Sequence, residues 1–342
     1  MATKLLMIGC GDIGIRLANE LTEEQLVHNE STSKNNYPKN TETLNTIELY
    51  GLRRHIDLLP ESIQGITCDL NTITDLKECF ESSSINYDIV VITLVPNERS
   101  DEGYRRAYVE NLEKIINGLE SATIPPKHIF MVSSTSVYGQ QEEQWVDETS
   151  ETEPTHYSGR RVLQGEQRLA KSDIPSTIIR FSGIYGPGRL RIIEQVRNGE
   201  WISEGGSESE SEREARNSHS GFSNRIHADD CAGVLAHLIK KQRLGERLGE
   251  RLDSCYLATD CEPVRLNEVK QWIAAQLGIT QSNNEIKEFL GDKKVSTMRR
   301  NSKRCLNKKI LESGYQFKYP TFREGYGQVI LGMKNNEDFI EK

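Results

Sequence analysis

Three glycines carry the clearest chemical signal in this sequence. Gly9-x-Gly11-x-x-Gly14 follows the apolar run Leu5-Leu6-Met7-Ile8 and precedes Ile13, Leu17 and Leu21 at helical spacing. That order is strand, tight turn, helix, the context a dinucleotide-binding loop requires. Gly9 permits the turn, Gly11 leaves room for a pyrophosphate against the backbone, and Gly14 lets helix and strand pack closely. The helix start at Asp12, Ile13 and Gly14 presents N–H groups and a partial positive charge to phosphate. The next strand, Thr46 to Leu52, ends in Arg53 and Arg54. An acidic residue there binds a ribose 2′-hydroxyl, whereas arginine suits a 2′-phosphate. Gly9 to Arg53, less an 18-residue polar insert at 28–45, spans 26 positions, a workable distance. The arginines therefore favour NADP over NAD as cofactor, with solvated strand-end charges as the plain alternative. Asp69 stands where it either approaches an adenine or makes an ordinary turn.

The elements that must position these residues read as an alternation. A helix runs from Asp12 to Val27, and Gly65 to Leu70 is a third strand with its exit. Thr74 to Phe80 resembles a helix, and Tyr87 to Val95 is a continuous apolar strand of the buried parallel type. Glu102 to Ser121 is helical, with Tyr108, Leu112, Ile115, Ile116 and Leu119 inward. His128 to Ser133 is the fifth strand, ending in Ser133-Ser134-Thr135-Ser136-Val137-Tyr138-Gly139. Alternating helices and buried strands indicate an α/β fold with a doubly wound parallel sheet. Ligands of such sheets sit outside the carboxyl ends of the strands. The glycine loop, Arg53, Thr93 and Ser134 all follow strands and so share one rim.

Composition narrows the classes. The 342 residues carry a net charge of −8, with 36% hydrophobic and 27% charged residues. No clustered basic footprint for nucleic acid is present. Seven cysteines, none in a CxxC pair, read as reduced cytosolic thiols rather than disulfides or a metal site. No leader-like start and no apolar run of about 18 residues is found, so a soluble cytoplasmic protein is expected, without a membrane partner. Two stretches read as disordered polar inserts, 28–45 and Ser203 to Asn224. Arg243 to Asp253 repeats LGER twice, too few copies for a solenoid. Val295 to Leu311 is basic and reads as a solvated face. His227, followed by Asp229 and Asp230, invites an acid–base or metal role. Aspartate before the apolar helix of Val234, Leu235 and Leu238 is the usual cap signal, and the structural reading is preferred, with no metal.

Several separated segments together resemble one family. They are SSTSVYG after a strand, RFSGIYGPGR at Arg180 to Arg189, RIHADDCA at Arg225 to Ala232, YLATDCEPVRLNEVKQWIAAQLG from Tyr256, and SKRCLNKKILESGYQFKYPTFREGY from Ser302. The chain resembles the extended and atypical short-chain dehydrogenase/reductases of the NAD-dependent epimerase/dehydratase superfamily, most closely the YeeZ-type proteins. The resemblance implies a Rossmann-type domain over 1–180 and a smaller C-terminal α/β substrate lobe over 181–342, interleaved with the Rossmann sheet. It implies a small-molecule substrate, hydride chemistry at a carbinol or carbonyl carbon, and a possible homodimer.

The resemblance also gives Ser134, with Thr135 as fallback, the place of the serine that hydrogen-bonds the substrate oxygen. The bland reading is a Ser/Thr run satisfying backbone groups at a strand exit. The family's catalytic tyrosine is followed four residues later by a lysine that lowers its pKa. That pair is altered here, in Thr155-His156-Tyr157-Ser158-Gly159-Arg160-Arg161-Val162. One register puts Tyr157 and Arg161 in the two roles. Another, anchored on Glu166, puts Ser158 and Val162 there and leaves no acid–base pair. Arginine keeps a charge but does not lose a proton. Arg189 and Arg191, on the loop bordering nicotinamide and substrate in the relatives, either meet an anionic substrate or are solvated. A non-catalytic NAD(P)-binding sensor is the rival reading.

Overall fold

The computed structural model describes residues 2–34, 46–79, 86–199, 220–279 and 302–340. Strand β1 (Thr3–Ile8) buries Leu5 through Ile8 completely. An uninterrupted apolar run suits a central parallel strand covered on both faces. Around it lie β2 (Ile47–Arg53), β3 (Ile63–Thr67), β4 (Ile89–Ile92) and β5 (His128–Ser134), then β7 (Ser176–Phe181) and β11 (Cys255–Ala258). The order across the sheet is β11-β7-β5-β4-β1-β2-β3. The pairs from β3 across to β5 are parallel. The chain reverses its direction of travel between β1 and β4, so the crevice for ligand opens at their carboxyl ends. The remaining strands form three short pairs: β6 (Gln144–Val146) with β13 (Lys303–Cys305), β8 (Gly183–Tyr185) with β10 (Arg225–His227), and β9 (Phe222–Ser223) with β12 (Val264–Arg265).

Helix α1 (Asp12–Lys34) leaves the glycine loop. It runs seven residues past the expected end at Val27, so the polar stretch from His28 begins as helix. Residue types of middling helix propensity cost only fractions of a kcal/mol each and do not stop a helix. The rest of the 28–45 segment lies outside the described residues, as do 203–219 of the second insert and 295–301 of the basic run. In place of the expected helix Thr74 to Phe80 there is one 3₁₀ turn, Leu76–Cys79, with Phe80 undescribed. Ser100 caps α2 (Asp101–Arg105) by accepting a hydrogen bond from the Gly103 N–H. A π-helical turn, Arg106–Asn111, then leads into α3 (Leu112–Glu120). Helix α4 (Tyr157–Leu169) follows β6. The helix Ala228–Leu248 ends just before Gly249, whose φ of +72° terminates it within the LGER repeat.

The expectation of uniformly reduced thiols is corrected at one place. Cys68 and Cys79 are joined by a disulfide, their Cα atoms 5.7 Å apart. The 3₁₀ turn carries Cys79 back to the β3 exit, a proximity that spacing along the chain does not reveal. Cys10, Cys231, Cys255, Cys261 and Cys305 are free. No helix among the described residues is long and apolar enough to cross a membrane.

The chain forms two compact units, each with its own core. The first comprises Met1–Tyr138, Thr152–Arg180 and Cys231–Tyr256, and the second Gly139–Glu151, Phe181–Asp230 and Leu257–Lys342. In the first, Leu6, Ile8, Val90, Ile92, Ile115 and Ile129 are among the buried side chains around the sheet. In the second, Tyr185, Val196, Ile273, Phe322, Tyr326 and Ile330 pack together. His227 caps its helix through Nδ1, which accepts from the Asp229 N–H. Asp230 accepts from the Tyr315 hydroxyl and from the N–H groups of Lys318 and Tyr319, and so anchors that loop.

His128 makes the first unit pH-sensitive. The Thr177 hydroxyl donates to the Asp253 carbonyl, so its oxygen is left to accept from His128 Nε2–H at 3.0 Å. Nδ1 is then the bare nitrogen, buried without a hydrogen-bond partner. Burial pushes the imidazole down to about 4. With the unfolded value near 6.5, the folded state loses stability as pH falls from about 6.5 towards 4, by up to about 3 kcal/mol. Urea unfolding of wild type at pH 7 and pH 5 is expected to show this loss, and His128→Leu to show less of it. Equal pH dependence in both proteins would refute the assignment.

Candidate functional site

The glycine loop is clamped by its two neighbouring strands. The N–H groups of Gly9 and Cys10 both donate to the Leu52 carbonyl on β2, at 3.1 and 3.2 Å. From β4, the Thr93 hydroxyl donates to the Gly9 carbonyl at 2.8 Å. Arg53 donates from Nη1 to the Cys10 carbonyl at 3.2 Å. Gly9 has φ +84°, and a Cβ on it would come within 2.7 Å of the Thr93 carbonyl oxygen. This position is glycine for the fold's own sake. Gly11 differs, because the nearest atom to a Cβ there is 3.7 Å away, an ordinary contact. What Gly11 keeps clear is the cavity, which suits the close approach of a pyrophosphate. Cys10 sits between them, and burial pushes its thiol up to about 11 against the opposing pull of Arg53. It is a packing thiol, not a nucleophile.

One cavity collects most of the expected cofactor residues. Gly9, Gly11, Arg53, Arg54, Asp69 and Thr93 all line it. Asp12, Ile13 and Gly14 do not. Asp12 pairs with Arg16 at 2.7 Å, Ile13 is buried, and a Cβ on Gly14 would sit 3.1 Å from the Cys10 sulfur. What they form is the helix start, where the ladder's first bond runs from Ile15 N–H to the Gly11 carbonyl. Asp69 Oδ1 accepts from the Asn71 N–H and side-chain amide, an Asx turn that holds its carboxylate at the wall.

The helical wall of the cavity escaped the sequence reading. Gly103, Arg106, Ala107 and Asn111 line it together. Asn111 is 5% exposed and donates to Asn71 Oδ1 at 3.0 Å, while its own Oδ1 is buried without a hydrogen-bond partner. An orphaned acceptor at a cavity wall suits a ligand N–H, since leaving it unpaired costs about 1–3 kcal/mol. Its signal in the sequence was an amide on an otherwise apolar helix face, between Ala107 and Ile115. The Tyr108 hydroxyl donates to the Leu94 carbonyl and so fixes the loop after β4.

Ser134 and Tyr157 lie on adjoining segments. A Cβ on Gly159 would fall 2.2 Å from the Ser136 carbonyl oxygen, so the first turn of α4 rests directly on the turn after β5. Ser134 Oγ accepts from the Ser136 N–H at 3.1 Å and keeps its own hydrogen to donate. The Tyr157 hydroxyl donates to the Arg99 carbonyl at 2.7 Å. No hydrogen bond joins the two hydroxyls. No hydrogen bond joins Arg161 to Tyr157 either; its guanidinium grips both oxygens of Asp101, at 2.8 and 2.9 Å. That hydrogen bond holds the Asp101 carboxyl below its ordinary range. Thr135 is buried.

Beneath Ser134 lies a buried polar knot. Arg180 on β7 donates to both carboxylate oxygens of Glu166 on α4, at 3.0 and 2.6 Å, and to the Tyr138 hydroxyl at 2.9 Å. The Ser133 hydroxyl donates to Glu166 Oε1 at 2.5 Å. Glu166 is 3% and Arg180 8% exposed. Burial opposes the guanidinium charge, yet the carboxylate holds its pKa above the ordinary value. No group of three or more metal-ligating side chains occurs among the described residues.

Two outcomes follow from this geometry. Gly11→Ala is expected to melt within a few degrees of wild type but to lose the thermal shift given by nucleotide, whereas Gly9→Ala loses both stability and binding. A Gly11→Ala protein that still binds would refute the pyrophosphate role. Glu166→Ala strands a buried cation and is expected to cost about 3–5 kcal/mol in denaturant unfolding; a cost under about 1 kcal/mol would mean the pair is dispensable.

Comparison with known proteins supplies the family. The sequence pattern of the NAD dependent epimerase/dehydratase family matches residues 5–248. A solved structure from Methylobacillus flagellatus, described as an NAD-dependent epimerase/dehydratase, is 29% identical, covers 97% of this chain and 99% of its own, and has a TM-score of 0.68. Two more distant structures share the fold. MoeE5 in complex with UDP-glucose and NAD is 19% identical, over 97% and 99% of the two chains, at TM-score 0.68. Human epimerase family protein SDR39U1 (isoform 2) with NADPH is 16% identical, over 96% and 99%, at TM-score 0.63. A search of curated proteins gave no match. With the family pattern spanning the glycine loop, six of the seven sheet strands and α4, this chain belongs to the NAD-dependent epimerase/dehydratase family.

Proposed function

We propose that this chain binds a nicotinamide coenzyme, NADP in preference to NAD, and catalyses redox chemistry at a carbinol or carbonyl carbon of a small, sugar- or nucleotide-linked substrate. The observation that carries the reading is the cavity at the strand-order reversal, where Gly9, Gly11, Arg53, Arg54, Asp69 and Thr93 meet. Arg53 and Arg54 support the preference for a 2′-phosphate, and the relatives solved with NADPH and with NAD support the coenzyme class. The structure of MoeE5 with UDP-glucose supports a sugar-nucleotide substrate class. A cytoplasmic location fits this substrate class, as does a homodimer.

The bound coenzyme supplies a hydride donor or acceptor. The protein's own part is to orient oxygen and move a proton. The Ser134 O–H, uncommitted as a donor, directs a hydrogen bond to the substrate oxygen. Tyr157 exchanges the proton with that oxygen, and to do so its hydroxyl leaves the Arg99 carbonyl. Arg161 acts at one remove, because its clasp on Asp101 ties α4 to α2. It is a positioning residue in this scheme.

A second reading has its own support. With the Tyr157 hydroxyl on a backbone carbonyl, Arg161 on Asp101 and no lysine at that place, the chain is suited to a nucleotide-binding sensor that has given up catalysis. Thermal-shift titration with NAD, NADH, NADP and NADPH is expected to raise Tm most with NADP(H), because a ligand bound only by the folded state stabilises it. A shift with none of the four would sink both readings. On an identified substrate, Tyr157→Phe is expected to lose about 10²-fold or more in turnover; full turnover would remove the tyrosine from the mechanism.

A further inference from the structure

We infer that Arg106 is a third cationic arm of the coenzyme cavity and, with Arg53 and Arg54, holds a phosphate monoester on the adenosine ribose. The inference rests on the coenzyme reading above and adds to it a recognition residue from a different part of the chain. Arg53, Arg54 and Arg106 line one cavity, where Asp69 is the only carboxylate among the described residues. Asp69 Oδ1 is already occupied by Asn71. The glycine loop and its helix start provide for a pyrophosphate without these arginines. A ribose 2′-hydroxyl, being neutral, has no use for such an excess of guanidinium. A phosphate monoester, with about −1.5 to −2 charge at neutral pH, does.

The three side chains also have donors to give. Arg53 spends one, on the Cys10 carbonyl. Arg54 makes no hydrogen bond or ion pair among the described residues. Arg106 has a single 3.4 Å contact with Glu102 Oε1. Glu102 is held more closely by Arg105, at 2.8 and 3.0 Å. Moving the Arg106 head onto a ligand therefore leaves Glu102 paired.

Backbone geometry turns Arg106 to the cavity. In an α-helix each residue rotates by about 100°, so positions four apart drift steadily around the axis. The π-turn over Arg106–Asn111 has i→i+5 bonding and a wider turn, which keeps Gly103, Ala107 and Asn111 on one side. Two of these three are small, so the wall beside Arg106 is open for its side chain to cross. π-turns inside α-helices are frequent at functional sites.

The test measures binding constants by titration calorimetry with the full chain, for NADPH, NADH, 2′,5′-ADP and 5′-ADP. Wild type is expected to prefer each 2′-phosphorylated ligand over its partner. Arg106→Ala is expected to weaken NADPH and 2′,5′-ADP about 10-fold or more, the size of one charge-assisted hydrogen bond, and to change NADH and 5′-ADP less than about twofold. Arg105→Ala, outside the cavity, should leave all four near wild type. Should Arg106→Ala not fold, Arg106→Gln carries the same expectation. Equal losses for phosphorylated and unphosphorylated ligands, or no loss with NADPH, would overturn the role of Arg106. Wild type that prefers NADH overturns it together with the 2′-phosphate preference. Wild type that binds no dinucleotide and no ADP fails at the coenzyme reading itself.

Discussion

The Glu166–Arg180 ion pair is the constraint on which the arrangement of the first unit depends. It joins α4 to β7, and through Ser133 and Tyr138 it also grips the end of β5 and the turn beyond. Two charges taken out of water repay their desolvation only when the geometry satisfies both. Here the carboxylate receives the guanidinium fork and a hydroxyl, and the guanidinium reaches a phenol as well. Any slip of α4 along the sheet breaks several of these bonds at once. The seating of Gly159 on the Ser136 carbonyl is the outward counterpart of the same registration. Tyr157 and Ser134 thus inherit their positions from polar contacts that touch neither of them.

The cavity beside the glycine loop is built on a different principle. Its floor is main chain, fixed by β2 and β4 from either side of the glycine loop, and its walls are long or polar side chains. The floor is therefore set by the sheet, while the walls are free to differ in charge without disturbing it.

The legible part of the sequence was the part whose cause is local. Gly9, Gly11 and Gly14 announce a turn because the turn is made within six residues. The run Leu5 to Ile8 announces a central strand because burial on both faces is written into one segment. The pairing of Arg161 with Asp101 spans 60 residues and that of Asn111 with Asn71 spans 40. Nothing in the spacing of either residue names its partner. Arg161 read as a lysine substitute for Tyr157 because helical proximity was the only geometry the sequence offered, and a carboxylate on α2 stood closer. The disulfide of Cys68 and Cys79 was hidden by the 3₁₀ turn that folds one back to the other. His227 reads as structural rather than ligating, but the expected cap was an aspartate, and it is His227 Nδ1 that caps the helix.

The π-turn at Arg106–Asn111 makes the length of this helix as informative as its composition. It amounts to a helix with one residue more than its hydrogen-bond ladder requires. Deleting a single residue there would let the ladder close as plain α-helix with Asp101–Arg105 and Leu112–Glu120 kept nearly in register, so the change would fall on the turn itself. Asp101 would keep Arg161, while Arg106, Ala107 and Asn111 would no longer line the cavity together. Natural variation in this stretch should therefore conserve residue count more strictly than residue type, and an alignment gap here would mark a protein with a different coenzyme wall.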